Sequence, residues 1–476
     1  MGTLLLNLGQ CGNQLALQMF NLIDKSSMHE GNMFLRRRES NIYHTILVDT
    51  EPKILKPIVE DRKLYSHIDV KNVLYYQYGR GNNWGLGYLN LKQKSKLQKS
   101  NQQQAISVFK SSTNEVSIQQ YCQENEQIVE QIINQARKEI EKTDYFLSIS
   151  TIMSLAGGTG SGLGSRVIQE FSDIFQEVHQ NVIAIFPNKT GETPLQHYNT
   201  LLSSAHIQQY ADSIIYFEND RIYQMLSQIG SKQIDKSVDL SNVNEYIGSC
   251  LMNLFWINDN YTNARYYQDL LSECCITEGH KFIEVVSAPF TLFAHSNLGS
   301  LCTWEELIKS SLEQYAFEKF EDDNDQQQQI GEAVTKSLQI QSIQKKGEAT
   351  LNLQSVFRSE NVLKTLQDSD SHMKFLERKI NQVFNPVQWN PDAVQLHFIN
   401  EKSSVKGHDQ KMNVTLINST KIIPILKNVS KIAFQKYKSG AYLHWYWKYG
   451  LENQDFDSAF ESLQKIQDDY NYMVEY

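Results

Sequence analysis

Several things are missing from this sequence of 476 residues, and each absence closes off a class of protein. No run of about 18 apolar residues occurs, so no segment has the reach of a transmembrane helix, and membrane insertion is not expected. The opening MGTLLLNLGQCG has neither a basic n-region nor a long apolar stretch, which argues against a secretory signal. Leu6 stands where a myristoylation start wants Ser or Thr. None of the six cysteines forms a CxxC pair, and Cys274 and Cys275 are adjacent. That is the pattern of reduced cytosolic thiols, not of a disulfide frame or a zinc site. The sequons NVT, NVS and NST are then idle. Positive charge is in deficit, with 45 Lys and Arg against 54 Asp and Glu and a net charge of −9. Nucleic-acid binding, which needs a basic surface to release counterions, is therefore not expected. The short run LRRRES (35–40) reads as a solvated loop. There is no internal repeat.

What is present suits a soluble globular chain of two or three domains, 41% hydrophobic and 21% charged. The first 230 residues alternate strand-like and helix-like segments. TLLLNL (3–8), YHTILVD (43–49), YFLSISTIMS (145–154), VIAIF (182–186) and SIIYFEN (213–219) read as strands, with helical spacing after Gly9 and over 123–141 and 162–178. Such interleaving predicts an α/β fold with a doubly wound parallel sheet forming a nucleotide-binding domain at 1–230. A connecting core helix region is expected at 231–264, a second, smaller α/β domain at 265–400, and C-terminal helices at 401–476. Thr303 followed by Glu306 predicts a capped helix over 304–320. Polar, Gln-rich insertions are expected near 91–120 and 321–350.

Residues 155–164 read LAGGTGSGLG, at the junction of a strand and a helix. Without Cβ atoms, backbone amides can approach anionic oxygens closely, and the following helix directs its free N–H groups to the same place. Thr159 and Ser161 could add hydroxyls. Alone, the stretch also reads as a tight turn or linker. No Lys follows these glycines, so it is not a Walker A loop, and its spacing on a late strand disfavours a dinucleotide fingerprint. Phosphate charge must then be met by amides, helix dipoles and a cation. Three further loops supply parts: GQCGNQ (9–14) with Gln10 and Cys11; DTEP (49–52), whose Asp49 and Glu51 could hold Mg²⁺ through water; and GRGNNWGLG (79–87), with Gly81 and Asn82 beside a terminal phosphate.

GQCGNQ, DTEP, GNNW and GGTGSG in this order resemble the tubulin family, and the similarity extends to AYLHWYWKYGLENQDFDSAFESLQKIQDDY (441–470). Within the family, SLAGGTGSGLG with Ala156, LVDTEPKIL, GRGNNWGLGY and KTGETPLQHYN resemble the delta type. The resemblance implies GTP or GDP with Mg²⁺ as ligands. It implies that Gln10, Cys11, Asp49, Glu51, Gly81, Asn82, Ser154, Ala156, Gly157, Gly158, Thr159, Gly160, Ser161 and Gly162 surround the phosphates and metal. Glu192 would meet the ribose, and Asn219 and Asn244 would read guanine through their mixed donor and acceptor amides. Read alone, each asparagine is more readily a helix cap.

The resemblance further implies a cytoplasmic, cytoskeletal protein at centrioles, basal bodies and cilia, acting in the assembly or maintenance of triplet microtubules. Its partners would be other tubulins in longitudinal contact, an epsilon-type chain among them, and centriole components. The alternative is an assembly-driven GTPase forming a microtubule-type lattice, as an alpha/beta- or epsilon-like tubulin. Leu240 stands where alpha and beta chains stack an aromatic ring on the base. Asp269, with Glu273 one turn on, is the candidate for completing hydrolysis on a neighbour's nucleotide; both acids read equally as solvated helix residues. FTLFAHSNLGS (290–300) has neither Lys nor Arg, and YNYMVEY replaces the acidic tail of polymerising members, so an ordinary lattice is not expected. His444, Trp445 and Tyr446 read as helix-packing residues.

Overall fold

The apolar, β-branched runs of the first half form strands, and helices follow them at helical spacing. The computed structural model describes residues 2–22, 42–63, 65–90, 118–188, 191, 193–233, 238–255, 267–289, 303–317, 348–360, 362, 378, 383–400 and 411–475. Ten strands are found among them: β1 Gly2–Leu8, β2 Thr45–Asp49, β3 Val73–Tyr75, β4 Phe146–Ser154, β5 His179–Phe186, β6 Ser213–Glu218, β7 Phe282–Ala288, β8 Thr350–Ser359, β9 Val394–Ile399 and β10 Lys411–Ser419. They lie in one sheet in the order β3-β2-β1-β4-β5-β6-β7-β10-β8-β9. The stretch from β3 to β7 is parallel throughout. β10 then runs antiparallel to both β7 and β8, and β8 pairs in parallel with β9. The α/β fold expected from the alternation is therefore present. β6 and β7, which fall in the first and third of the expected regions, pair through Ile214 and Phe282.

Both faces of the parallel part are covered, as its uninterrupted hydrophobic strands require. Alternation along β1 sends Leu5 to one face and Leu4 and Leu6 to the other. On the first face lie the helices Gly9–Leu22 and Leu240–Phe255, in contact where Gly248 meets Met19 and Leu22. On the second lie Ile118–Glu141, Gly164–Ile174, Gln196–Tyr210 and Asn453–Glu475. A smaller apolar cluster joins the capped helix Trp304–Ala316 to β7, β8 and β10; Thr303 and Glu306 make the reciprocal capping bonds that their spacing predicts. No described helix is long and apolar enough to cross a membrane.

KFIEVVSAPFTLF, VQLHFIN and NVTLIN also have strand character in sequence and hold β7, β9 and β10, but two strands are not apparent there. β3 is only three residues long. β8, TLNLQSVFRS, is polar at alternate positions yet buried along its length. Two of its polar side chains are bonded across the sheet: Ser355 Oγ lies 2.9 Å from Thr415 Oγ1, Asn413 Nδ2 donates to Ser355 Oγ at 2.8 Å, and His397 Nε2 lies 2.6 Å from Gln354 Oε1. Burial of such groups is tolerable only when they are paired. The 162–178 helix starts later than its spacing suggested, at Gly164, after a wide π-type turn over Thr159–Leu163. The insertion near 91–120 is shorter at its end, since helix Ile118–Glu141 begins there; most of both expected insertions and the segment 290–300 lie outside the described residues.

His206, on the helix Gln196–Tyr210, packs against the rings of Trp84, Tyr88 and Tyr210. Burial pushes its pKa down to about 4, and its Nε2 has no hydrogen-bond partner among the described residues. A histidine that is harder to protonate folded than unfolded stabilises fully above its ordinary value near 6.5. That contribution is lost as pH falls from there toward 4. Urea unfolding of the full chain should therefore show falling stability across this window. The variant His206→Phe should lose about 2–3 kcal/mol of the difference between pH 7 and pH 4.5. An unchanged pH profile in the folded variant refutes the assignment.

Candidate functional site

In a parallel α/β sheet, ligands gather beyond the carboxyl ends of the strands. Four such ends lie side by side here, those of β3, β2, β1 and β4. β1 runs directly into Gly9, which turns the chain at φ +73° into the helix Gly9–Leu22. β4 ends at Ser154 and leads through the glycines to the wide turn Thr159–Leu163, capped by Gly158 without any side-chain acceptor. The first N–H groups of such a turn have no intrahelical partner and point outward. Beyond β3, Gly81 and Asn82 are successive residues with left-handed backbone, φ +54° and +49°. Glycine takes that conformation freely and asparagine better than most residues.

These loops touch main chain to main chain. A Cβ on Gly158 would stand 2.5 Å from Arg80 O, and one on Gly162 would overlap Trp84 O. A Cβ on Gly9 would lie 3.1 Å from Gly160 N. One on Gly157 would lie 3.9 Å from Asn82 Oδ1, so that amide stands beside the glycine loop. Thr159 Oγ1 is 2.6 Å from Thr50 Oγ1, tying the turn to the end of β2. Glu51 packs its carboxylate against Gly79. Residues 9–12, 49–51, 79–83 and 154–162 thus share one surface. Ser161 is fully buried, and its hydroxyl donates inward to Gly157 O, leaving its backbone as the part available to a ligand. Ser154 Oγ accepts from Ala156 N at 3.3 Å.

The residue that binds the loops together is one that the sequence reading passed over. Asn199, fully buried on the helix Gln196–Tyr210, donates from Nδ2 to Asn82 O and to Ala156 O, both at 2.7 Å. Its Oδ1 accepts from Trp84 N at 2.9 Å and from the Tyr446 hydroxyl at 2.7 Å. An amide has two donors and an acceptor with two lone pairs, and all are used. Asn199 ends the KTGETPLQHYN segment, so its neighbourhood was visible, but no spacing rule marks a strut. Asn13 plays a similar part beneath β1 and β2, donating to Gly9 O at 2.8 Å and Val48 O at 2.9 Å.

Charge in the site is chiefly negative. Asp49, 5% exposed at the end of β2, is pushed up to about 6, first by burial and also by the neighbouring Glu51. A cation between the two would relieve that cost. Among the described residues no three His, Cys, Asp or Glu side chains converge on one point, so a metal here would need ligands beyond the chain. Cys11 is half-buried against the core, and burial pushes its thiol up to about 11, so it is neutral and unreactive near pH 7. Gln10 is exposed beside it. Arg80, the one cation in the GRGNN loop, is turned away: Nε donates to Asn125 Oδ1 at 2.8 Å and Nη2 lies 3.1 Å from Glu124 Oε2, both on the helix Ile118–Glu141.

The other residues singled out from the sequence lie elsewhere. Asn219 opens a helix at the end of β6, two strands from β4 and so roughly 10 Å along the sheet edge. Leu240, 54% exposed, and Asn244 sit in the first turns of the helix Leu240–Phe255. Glu192 is outside the described residues. Asp269 and Glu273 are on the helix Tyr267–Cys274, with Asp269 exposed and Glu273 partly so. That helix is fastened at the opposite end of the sheet. The Tyr267 hydroxyl lies 2.6 Å from Ser148 Oγ, and Gln268 Nε2 donates to Thr3 Oγ1 at 2.9 Å, both at strand starts. From Ser148 to the glycine loop, β4 extends roughly 20 Å. Of the His444 group, only Tyr446 is packed inside; His444 is exposed and Trp445 is 45% exposed, because the short helix Leu443–Trp447 presents only one side to the core.

Comparison with known proteins agrees with this geometry. The model of the Tubulin/FtsZ family GTPase domain matches residues 89–227, which include the glycine turn and Asn199. The chain is 24% identical to the tubulin delta chain of Macaca fascicularis and 24% identical to that of Homo sapiens, each alignment covering 98% of both chains. It is 22% identical to the tubulin beta chain of Coprinopsis cinerea, over 98% of this chain and 94% of that one.

Replacing Asn199 with Ala takes a buried partner from two carbonyls and one N–H, and leaves the Tyr446 hydroxyl with only its longer bond to Leu195 O. At about 1–3 kcal/mol for each group left unsatisfied, and with partial relaxation, Asn199→Ala should lower unfolding free energy by about 3 kcal/mol. Chemical denaturation followed by tryptophan emission, to which Trp84 contributes, measures it. A loss under about 1 kcal/mol would mean that the loops hold together without this amide.

Proposed function

The chain belongs to the tubulin family, and on that premise we propose that it is a guanine-nucleotide-binding cytoskeletal protein of the delta type. In this reading it acts with other tubulins, an epsilon-type chain among them, at centrioles and basal bodies, where it assembles or maintains triplet microtubules. The observation that carries the nucleotide is the meeting of three glycine-bearing turns at adjacent strand ends, with an unsatisfied turn N-terminus among them and no lysine in the glycine loop.

The backbone of Gln10, Cys11 and Ala156 to Gly162, with Ser154, Gly81 and the Asn82 amide, would receive the phosphates. Ala156 costs little, since a single methyl adds little bulk, and its N–H is already bonded to Ser154 Oγ. Asp49 and Glu51 fit Mg²⁺ through water, because a paired, partly desolvated set of oxygens suits a hard cation whose remaining ligands are phosphate and solvent. The metal would neutralise phosphate charge. Glu192 would accept from the ribose hydroxyls. The roughly 10 Å between the ends of β4 and β6 suits a nucleotide lying with its phosphates on the glycine turn and its base toward Asn219, with Asn244 as second reader. Leu240 would give the base apolar cover without ring stacking, which favours weaker discrimination among purines.

A second reading, an assembly-driven GTPase, is favoured by the position of Asp269 and Glu273. They stand at the far end of the sheet from the glycine turn, so they cannot reach this chain's own nucleotide. They could reach one only across a head-to-tail contact. There, one carboxylate would accept a proton from a water attacking the terminal phosphate.

Three measurements test this. Protein purified without added nucleotide and then denatured should release a guanosine di- or triphosphate; an empty protein that also ignores added guanosine nucleotides sinks the proposal. Chelation by EDTA should weaken GTP binding by at least about tenfold, or about 1.4 kcal/mol, and Asp49→Asn with Glu51→Gln should abolish that difference. In material co-assembled with a partner tubulin, Asp269→Asn with Glu273→Gln should slow phosphate release by about a hundredfold or more. Unchanged release removes the second reading and leaves the first standing.

A further inference from the structure

A cavity of about 300 Å³ opens beside the carboxyl ends of β5 and β6, under the helix Ile422–Lys438. Phe186, Phe317, Ile425, Val429 and Ile432 give it apolar walls. Glu284 of β7, 3% exposed, is also in its lining. The Glu284 Oε1 atom accepts from Arg221 Nη1. That guanidinium is otherwise spent on the end of the helix Trp304–Ala316: Nη2 donates to Gln314 O at 2.8 Å and Tyr315 O at 3.0 Å, and Nε to Phe317 O at 3.0 Å. The second oxygen, Glu284 Oε2, is buried and receives no hydrogen bond from any described residue. A buried carboxylate oxygen without a donor is among the more costly defects a fold can carry, and folded proteins ordinarily supply the missing partner.

The sign of the surroundings says what kind of partner fits. Lining the cavity are three carboxylates, Glu218, Glu284 and Glu348, and two cations, Arg221 and Lys421; Lys436 lies just outside, its Nζ 3.2 Å from His197 Nδ1 and donating to Pro194 O. His197 adds no charge near pH 7, since burial, and then the charge of Lys436, push it down to about 4. Lys421 is directed to Tyr315, donating to its carbonyl and lying 3.5 Å from the centre of its ring. A volume of this size is at the small end for ligand sites.

We propose that this cavity binds a small organic cation, an aryl- or alkylammonium of roughly ten non-hydrogen atoms, whose ammonium donates to Glu284 Oε2 while its apolar body lies among Phe186, Ile425 and Val429. None of the glycine-turn residues lines this cavity, and the proposal stands whether or not the chain binds nucleotide. 2-Phenylethylamine and its uncharged counterpart 2-phenylethanol are matched probes for it. Titrated into the full chain and followed by calorimetry and saturation-transfer NMR, the amine should bind saturably, one per chain, at least about tenfold more tightly than the alcohol. Glu284→Gln should remove that preference. Because Glu284 also holds Arg221, Ile425→Trp is the companion variant: it fills the cavity from the helix, leaves the ion pair alone, and should abolish binding of both probes while circular dichroism reports an unchanged fold. Equal affinity for amine and alcohol, no saturable binding at millimolar amine, or undiminished amine binding in folded Ile425→Trp would each overturn the proposal.

Discussion

Main chain pressed against main chain at the carboxyl ends of the strands is the constraint on which the rest of this molecule depends. Gly158 and Gly162 have no room for a side chain because the backbone of the 80–84 segment occupies that space. Such proximity brings carbonyl oxygens together, and their mutual repulsion has to be offset by donors. Asn199 supplies two from one amide, and it does so from a helix, the most rigid mount available nearby. The loops are therefore held through their carbonyls by the helix behind them.

The same sheet fixes a polarity on the whole chain. The glycine turns sit where β1 and β4 end, whereas Thr3 and Ser148, near the start of those strands, anchor the helix that carries Asp269 and Glu273. Roughly 20 Å of strand separates the two ends. Hydroxyls and amides at the lower end form a closed set around the Tyr267 hydroxyl, which also lies 3.0 Å from Ser150 Oγ and 3.2 Å from Thr3 Oγ1. While Tyr267 and Gln268 bond inward, Asp269 of the same helix is turned out to solvent. The glycine turns thus lie at one end of the sheet and an exposed acid at the other. No arrangement within one molecule could bring the two together.

How much of this was readable beforehand follows from what makes a signal local. The strands of the parallel half were legible because they are buried on both faces and so carry unbroken apolar runs. The glycine turns were legible because missing side chains leave a mark in composition, and because each follows such a run. The capping box at Thr303 and Glu306 was legible from spacing alone. β8 was not, since its Asn352, Gln354 and Ser355 look like surface residues until partners on β9 and β10 are known, and those partners are tens of residues away. Asn199 was hidden for the same reason: it bonds to residues 43 and 117 positions distant. Pairings of that range leave no trace in a window of ten residues.

Arg80 shows why such pairings matter to chemistry. In sequence it is the obvious cation of GRGNN, flanked by glycines and beside Asn82, and a phosphate reader would be the natural assignment. In the structure it is 1% exposed, bonded to Asn125 and Glu124, with its guanidinium 5.3 Å from the centre of the Tyr121 ring. A buried guanidinium must be paired, and breaking that pair to reach an anion would leave Glu124 uncompensated at a cost of several kcal/mol, on the order of 3–5. Arg80 therefore serves the loop from behind, as Asn199 does, holding its carbonyl side to the helix Ile118–Glu141. Negative charge brought to the front of these turns has to be met by peptide N–H groups, by the ends of the helices behind them, and by whatever cation Asp49 and Glu51 can share.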